Sequence, residues 1–173
     1  EQGAEALIFT ASGCGVMITD YGHLLAHDPA YAERAKRISA LACDLGSVIE
    51  KQKEQLNQIL KNNRPSGTFV FHPPCTLQHG LKLKGRTEAL LAELGFDLAP
   101  VADAHLCCGS AGTYSMLQPE ISAQLKNNKI KSLTASSPAQ ILTANIGCQT
   151  HLQSATALPV RHWIEAVDDL LGN

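Results

Sequence analysis

The chain has 173 residues, of which 45% are hydrophobic and 17% are charged, and its formal net charge is −2 at pH 7. These values are typical of an ordinary globular protein and exclude a disordered or fibrous chain. The slightly negative charge argues against a nucleic-acid binder, and the apolar runs are too short for a transmembrane segment. We therefore expect a cytoplasmic protein.

The N-terminal part of the chain predicts one strand followed by helices. Residues 6–12 (ALIFTAS) are apolar and partly β-branched, which favours a strand, and the glycines on either side of Cys14 indicate a loop after it. Residues 29–45 carry apolar side chains at helical spacing. This spacing places Cys43 in the middle of a helix, where a cysteine is most simply a small hydrophobic residue.

A second helix and a linker are predicted next. Ser47 and Glu50 have the spacing of a capping box, which predicts that a helix begins there and runs to about residue 62. Residues 62–67 (NNRPSG) combine Asn, Pro and Gly, so they indicate a linker. The linker suggests two parts, residues 1–63 and residues 64–173.

After the linker, strands and helices alternate. The predicted strands are residues 68–71, 97–101, 140–146 and 158–160, and the predicted helices are residues 86–95, 119–136 and 163–171. Such alternation indicates crossover units on a mostly parallel sheet with helices on both faces. The predicted fold class is therefore α/β, with Rossmann-like crossovers.

The cysteines follow these strands. Five of the six lie just beyond the carboxyl end of a predicted strand: Cys14, Cys75, Cys107, Cys108 and Cys148. In a parallel sheet those ends share one edge, where ligands bind. Thiolates that meet there suit an iron–sulfur cluster or zinc. Gly109 and Gly112 would let the backbone approach that centre closely.

The adjacent pair Cys107–Cys108 argues against disulfides as the main use of cysteine here. A disulfide between neighbouring residues closes an eight-membered ring, which distorts the preferred torsion and Cα separation. A chain of this length also has enough core to fold without disulfides.

The residues around the cysteines resemble a known family. The stretches HPPCTLQHG, CCGSAGTYSMLQPE and NIGCQTHL resemble the CCG cysteine-rich repeat, which occurs in iron–sulfur subunits of glycolate oxidase, heterodisulfide reductase B-type subunits and lactate-utilisation proteins. The resemblance to the glycolate oxidase type is strongest, because CCGSAGTYSMLQPEISAQL continues the pattern. TASGCG resembles the last cysteine block of a preceding repeat, which implies that residues 1–63 end one repeat and residues 64–173 form a complete one.

The resemblance implies an electron-transfer domain with a [4Fe–4S] cluster. It further implies the C-terminal part of a longer subunit, an N-terminal ferredoxin-type module, and a flavin-containing dehydrogenase partner that oxidises a 2-hydroxy acid. Through such partners the protein would lie in the cytoplasm or peripherally at the inner membrane. Substrate chemistry would then take place in the partner, so no catalytic residue is assigned here.

The last cysteine block departs from part of this family. Heterodisulfide reductase-type repeats end in C-x-x-C, whereas Asn145 stands here three residues before Cys148. Four cysteines instead of five favour a four-thiolate cubane or a zinc site over a noncubane cluster. The alternatives are a structural zinc or subunit-interaction module, and a thiol–disulfide catalyst of the heterodisulfide reductase type.

Several residues near the cysteine blocks have open roles. His72 and His151 could be ligands or hydrogen-bond donors to cluster sulfur, although structural histidines are the more common outcome. Cys14 could join the site, belong to a second centre, or have no role. His162 follows a strand end, and we expect it to cap the last helix.

Overall fold

The computed structural model describes residues 3–172, which form six strands and nine helices. The strands are β1 (Leu7–Phe9), β2 (Ala42–Asp44), β3 (Thr68–His72), β4 (Asp97–Leu98), β5 (Gln140–Thr143) and β6 (Val160–His162). The helices are α1 (Ser12–Leu24), α2 (Ala32–Leu41), α3 (Leu45–Lys51), α4 (Lys53–Ile59), α5 (Arg86–Glu93), α6 (Tyr114–Leu117), α7 (Pro119–Thr134), α8 (Ile146–Gln153) and α9 (Trp163–Asp168). One π-helical turn, Thr76–Gly80, follows β3.

The strands form two parallel sheets. The larger sheet has the order β4-β3-β5-β6, and the smaller pairs β1 with β2. Successive strand residues point to opposite faces, so Phe69 and Phe71 lie on one face of the larger sheet and Val70 on the other. The two faces bury separate clusters, one containing Trp163 of α9 and one containing Leu133 of α7. These observations confirm the α/β prediction.

The predictions for the middle of the chain are largely confirmed. The strand at residues 68–71 is β3, and the predicted helices 86–95 and 119–136 are α5 and α7. Gly95 follows α5 at φ +93°, which is typical of a helix end, and Pro119 begins α7.

The N-terminal predictions need two corrections. Residues 12–15 begin helix α1 instead of forming a loop, so Cys14 lies in its first turn. Cys43 lies on β2, where it pairs with Ile8, and not within a helix. The helical spacing of apolar residues such as Ile38 and Leu41 continues by chance into β2. This spacing explains why Cys43 was placed in a helix.

The capping box at Ser47 and Glu50 is also wrong. Helix α3 begins two residues before Ser47, and the Asp44 carboxylate at the end of β2 accepts a hydrogen bond from the Ser47 backbone N–H. Asp44 is therefore the N-cap.

Two of the later strands are shorter than predicted, and the last one is shifted along the chain. Strand β5 ends at Thr143, and the residues after Asn145 form α8, which the sequence did not indicate. The last strand is Val160–His162 instead of residues 158–160, and β4 has two residues. Among residues 3–172, no helix has the length and apolar character needed to cross a membrane.

Candidate metal centre

Four cysteines from three separate segments line one cavity of about 260 Å³. Cys75 follows β3 and precedes the π-helical turn, and Cys107 and Cys108 lie in the long loop after β4. Cys148 lies in the first turn of α8, which follows β5. The cavity lies where the carboxyl ends of adjacent parallel strands meet, which is where open α/β sheets bind ligands.

The donor atoms of His72, Cys108 and Cys148 lie within 4.8 Å of one another. All three residues are buried, with 1%, 2% and 4% of their surfaces exposed. The Ser110 hydroxyl joins the two thiols, since Cys108 Sγ lies 3.2 Å from Ser110 Oγ and Cys148 Sγ lies 3.8 Å from it. Cys75 and Cys107 are half-buried.

The four sulfurs perturb one another. Contact with Cys108 lowers the pKa of Cys107 to about 2, and contact with Cys75 adds to this effect. Contact with Cys108 also lowers the pKa of Cys148 to about 4, against the effect of burial and with help from His72. The pKa of Cys75 is raised by its hydrogen bond to Cys107, and that of Cys108 by its bonds to Cys107 and Cys148.

These opposite shifts have one physical cause. Neighbouring thiols in a partly buried site cannot all carry negative charge, so the pKa values of Cys107 and Cys148 are lowered while those of Cys75 and Cys108 are raised. A bound cation removes this restriction, because a thiolate must be deprotonated to ligate a metal. The four cysteines thus form a set of donors that can all be deprotonated only when a cation is bound among them.

The imidazole of His72 is the clearest sign that the cavity binds a metal or a cluster. Neither Nδ1 nor Nε2 has a hydrogen-bond partner among the described residues, although the side chain is fully buried in the cavity wall. A buried polar group without a partner costs about 1–3 kcal/mol. A metal or a cluster sulfur in the cavity would satisfy one of these nitrogens.

The two glycines of the CCGSAG loop, Gly109 and Gly112, have different surroundings. Gly109 has φ +90°, and a Cβ there would lie 2.5 Å from the Ser122 backbone oxygen, so this glycine permits close packing on α7. Its N–H also donates to Cys107 Sγ at 3.3 Å. Of these two loop glycines, Gly112, at φ +47°, is the one that lines the cavity.

Three of the predicted candidates, Gly109, Cys14 and His151, are not among the residues that line the cavity. Cys14 is exposed and is not among the lining residues, although the adjacent Gly13 is. His151 also lies outside the lining, where its Nε2 is 3.3 Å from Ser122 Oγ. Ser122 donates to the Gly109 carbonyl at 2.8 Å, so His151 supports the loop from behind.

All six cysteines are free. His162 caps α9 as predicted, because its Nδ1 accepts from the Ile164 N–H at 3.3 Å and Glu165 reaches back to the His162 N–H.

Sequence reasoning missed Lys129. This lysine is 3% exposed, and its ammonium donates to the carbonyls of Asp103 at 2.8 Å and Ala104 at 3.4 Å, in the loop that leads to Cys107. A second cavity of about 190 Å³ contacts both Lys129 and Cys107. Burial lowers the pKa of Lys129, while the charges of Cys108 and Asp103 oppose that shift. The neighbours of Lys129 in the sequence of α7 are mostly polar, so the sequence gives no sign that this lysine is buried.

Comparison with known families matches residues 69–153 to the family described as CCG, a cysteine-rich domain. The matched range contains Cys75, Cys107, Cys108 and Cys148, together with His72 and most of the cavity.

Three relatives are similar over most of the chain. The glycolate oxidase iron–sulfur subunit of Escherichia coli is 48% identical over 171 residues, which are 99% of this chain and 41% of the relative. The probable glycolate oxidase iron–sulfur subunit of Bacillus subtilis is 31% identical, covering 83% of this chain and 32% of its own length. Lactate utilization protein A of Exiguobacterium is 27% identical, covering 84% of this chain and 58% of its own length. The chain thus spans less than half of the first two relatives.

Proposed function

Because residues 69–153 make this chain a member of the CCG cysteine-rich domain family, we propose that its cysteines hold an iron–sulfur cluster that carries electrons. The observation that carries the proposal is the convergence of four thiols and one unpartnered imidazole on a single cavity. The chain would act as an electron-transfer part of an oxidoreductase complex, with substrate chemistry in a partner.

The donor set fits such a cluster. Thiolates are the usual ligands of iron–sulfur clusters, and hydrogen bonds to the sulfurs help to set the reduction potential. Cys75, Cys107, Cys108 and Cys148 would be the four ligands, and His72 would ligate or hydrogen-bond the cluster. When bound, the cluster supplies one-electron redox chemistry.

The chain's own residues create two different sides of the centre. Cys108 and Cys148 pack into the apolar cluster under the sheet, so water is excluded from that side. Cys75 and Cys107 are half-buried at the cavity mouth. Electrons would enter or leave through that more exposed side, where a partner can approach.

The partners follow from the relatives. Two of them are named iron–sulfur subunits of glycolate oxidase, and one is a lactate utilization protein. We infer that this chain works with a flavin-containing subunit that oxidises a 2-hydroxy acid such as glycolate, and with a ferredoxin-type module. The complex would lie in the cytoplasm or peripherally at the inner membrane. In this arrangement residues 1–63 end a preceding repeat and residues 64–173 form the complete one.

Anaerobic purification tests the proposal directly. Iron and acid-labile sulfide should be present in equal amounts, and reduction with dithionite should change the EPR signal. Cys43→Ser is the control, because Cys43 lies on β2 outside the cavity and should leave the iron content unchanged. Colourless protein with stoichiometric zinc would reject the iron–sulfur proposal.

A structural zinc site is the second candidate. The grouping of one imidazole with Cys108 and Cys148 favours it, because mixed cysteine and histidine sets are common at structural zinc sites. Zinc would then hold the three cysteine segments together without redox chemistry. Removing the metal would unfold the loops, and no EPR signal would appear on reduction.

A further inference from the structure

The side chain of Asn145 lies between helix α1 and the Cys148 sulfur. Its Oδ1 accepts a hydrogen bond from the Gly13 N–H at 3.1 Å, and its Nδ2 donates to Cys148 Sγ at 3.6 Å. Gly13 and Asn145 are 132 residues apart in the sequence. One amide group therefore joins the start of the first long helix to a cavity thiol.

This arrangement is unusual for an asparagine at the start of a helix. Asn145 is the N-cap of α8, where an asparagine side chain ordinarily accepts from a backbone N–H of its own helix. No such bond is made here. At the start of α1 the N-cap is Ala11, which has no side-chain acceptor to offer. Asn145 therefore satisfies an N–H of α1 and leaves its own helix uncapped.

Two other contacts bring α1 to the same place. The Ser12 N–H donates to the Ala144 carbonyl at 3.1 Å, and the Ser12 hydroxyl lies 2.7 Å from the Thr76 hydroxyl. Ala144 and Thr76 are close in sequence to Cys148 and Cys75. The N-terminus of α1 is thus attached to two of the segments that carry cavity cysteines.

Space at the contact is tight. A Cβ added at Gly13 would lie 3.2 Å from Asn145 Oδ1, and one added at Gly147 would lie 3.3 Å from Asn145 Nδ2. Glycine at both positions lets the amide approach α1 and α8 together.

We propose that Asn145 is a positioning residue that couples helix α1 to the Cys148 sulfur. Its oxygen fixes the start of α1, and its N–H directs the sulfur toward the cavity and disperses the sulfur's negative charge. Partners that orient a metal ligand typically change metal affinity 10–100-fold when they are lost. The metal-dependent part of this inference rests on the proposed function, but its Gly13 part does not.

Two substitutions at Asn145 distinguish the role of the amide oxygen from that of the amide nitrogen. Asn145→Asp keeps an acceptor for the Gly13 N–H but cannot donate to Cys148 at neutral pH, and it adds negative charge beside the thiolate. Asn145→Ala removes both bonds. Asn127→Asp is the matched control, because it makes the same chemical change at an exposed position on α7.

The test measures hydrogen exchange of the Gly13 amide by NMR and zinc affinity by competition with a chelator. We expect Asn145→Ala to speed Gly13 exchange at least about tenfold and Asn145→Asp to leave it slow. Asn145→Ala should also lose about tenfold or more in zinc affinity, in line with a lost orienting partner. The Asn127→Asp control should match the unsubstituted chain in both measurements.

Two results would overturn the inference: unchanged Gly13 exchange in Asn145→Ala, or full zinc affinity in the same variant. Because the probe is zinc and a backbone amide, these failures are distinct from a missing iron–sulfur cluster. If the cluster is present, its reduction potential should also fall in Asn145→Asp, since a donated hydrogen bond to sulfur is replaced by a negative charge.

Discussion

The N-terminal and C-terminal parts of the chain contain similar successions of elements with different results, although α2 lies between the helix and the second strand in the N-terminal part alone. In each, a strand leads to a helix with a cysteine in its first turn, then to a parallel strand and a polar residue that caps the next helix. The cysteines are Cys14 and Cys148, and the caps are Asp44 and His162. Only beside Cys148 do β3 and β4 bring further cysteines to the same edge. A cysteine after a strand thus forms a site only when neighbouring strands supply the other ligands.

Cys14 and Cys148, which both lie in the first turn of a helix, should differ strongly in metal binding. We expect Cys148→Ser to abolish a stable centre, because it removes a buried thiol whose sulfur lies within 4.8 Å of the donor atoms of Cys108 and His72. Cys14→Ser should keep the same metal content as the unsubstituted chain, because Cys14 is exposed outside the cavity. Metal and sulfide analysis after anaerobic purification measures both. Equal metal loss in the two variants would place Cys14 in the centre and break the comparison.

The two sheets should also differ in their contribution to stability. Leu142 of β5 is fully buried between helices, whereas Ile8 of β1 is 51% exposed. Leu142→Ala should lower the free energy of unfolding by about 2–5 kcal/mol, since it leaves a cavity in the core. Ile8→Ala should change it by less than about 1 kcal/mol. Urea denaturation measures both, and similar losses would contradict the account.

The sequence predicted the larger sheet better than the smaller one for a physical reason. β3 is buried on both faces and reads as a continuous apolar run, so it was found. β2 has three half-buried residues that continue the apolar spacing of α2, and it was therefore interpreted as helix. Helix α1 was missed because the glycines around Cys14 indicate a turn, while its N-terminus is fixed by residues more than 60 positions away.

A buried lysine behind the cavity gives the next prediction. Lys129→Met would leave the carbonyls of Asp103 and Ala104 without their donor, which costs about 1–3 kcal/mol in unfolding free energy. It would also loosen the loop before Cys107 and weaken metal binding. Lys131→Met, at an exposed position of the same helix, is the control. If both variants unfold at the same urea concentration as the unsubstituted chain, the ammonium has no structural role.

The helix cap at His162 predicts a smaller, pH-dependent effect on the free energy of unfolding. Burial lowers the pKa of His162 below its ordinary value of 6.5, although the Thr10 carbonyl, Glu165 and Asp44 partly oppose the shift. The unfolded chain therefore binds the His162 proton more readily, so the free energy of unfolding falls as pH drops below about 7. Only the neutral ring can accept the Ile164 N–H at Nδ1 while donating from Nε2 to the Thr10 carbonyl.

His162→Asn tests that effect, because asparagine can cap a helix without titrating. Urea denaturation at pH 5.0 and 7.5 should show a smaller pH difference for His162→Asn than for the unsubstituted chain. The other titrating groups are common to both proteins and cancel. An equal pH difference would show that His162 does not couple protonation to folding.

The meeting of the four cysteines at one cavity was predictable from the sequence, but the residues that support them were not. Parallel strands bring their carboxyl ends to one edge, so cysteines after β3, β4 and β5 were expected to meet. The roles of Asn145 and Lys129 depend on side-chain directions across more than 20 residues of sequence, and no local pattern encodes these. The same limit explains why the sequence gives no sign that His151 and Gly109 both contact Ser122.

The central claim is that Cys75, Cys107, Cys108 and Cys148 hold one iron–sulfur centre. Anomalous diffraction at the iron edge, from crystals grown without oxygen, tests it most directly. We expect a single strong iron peak in the 260 Å³ cavity, with all four sulfurs in its coordination shell. A zinc-edge peak there instead, or iron bound at Cys14 and not in the cavity, would contradict the account.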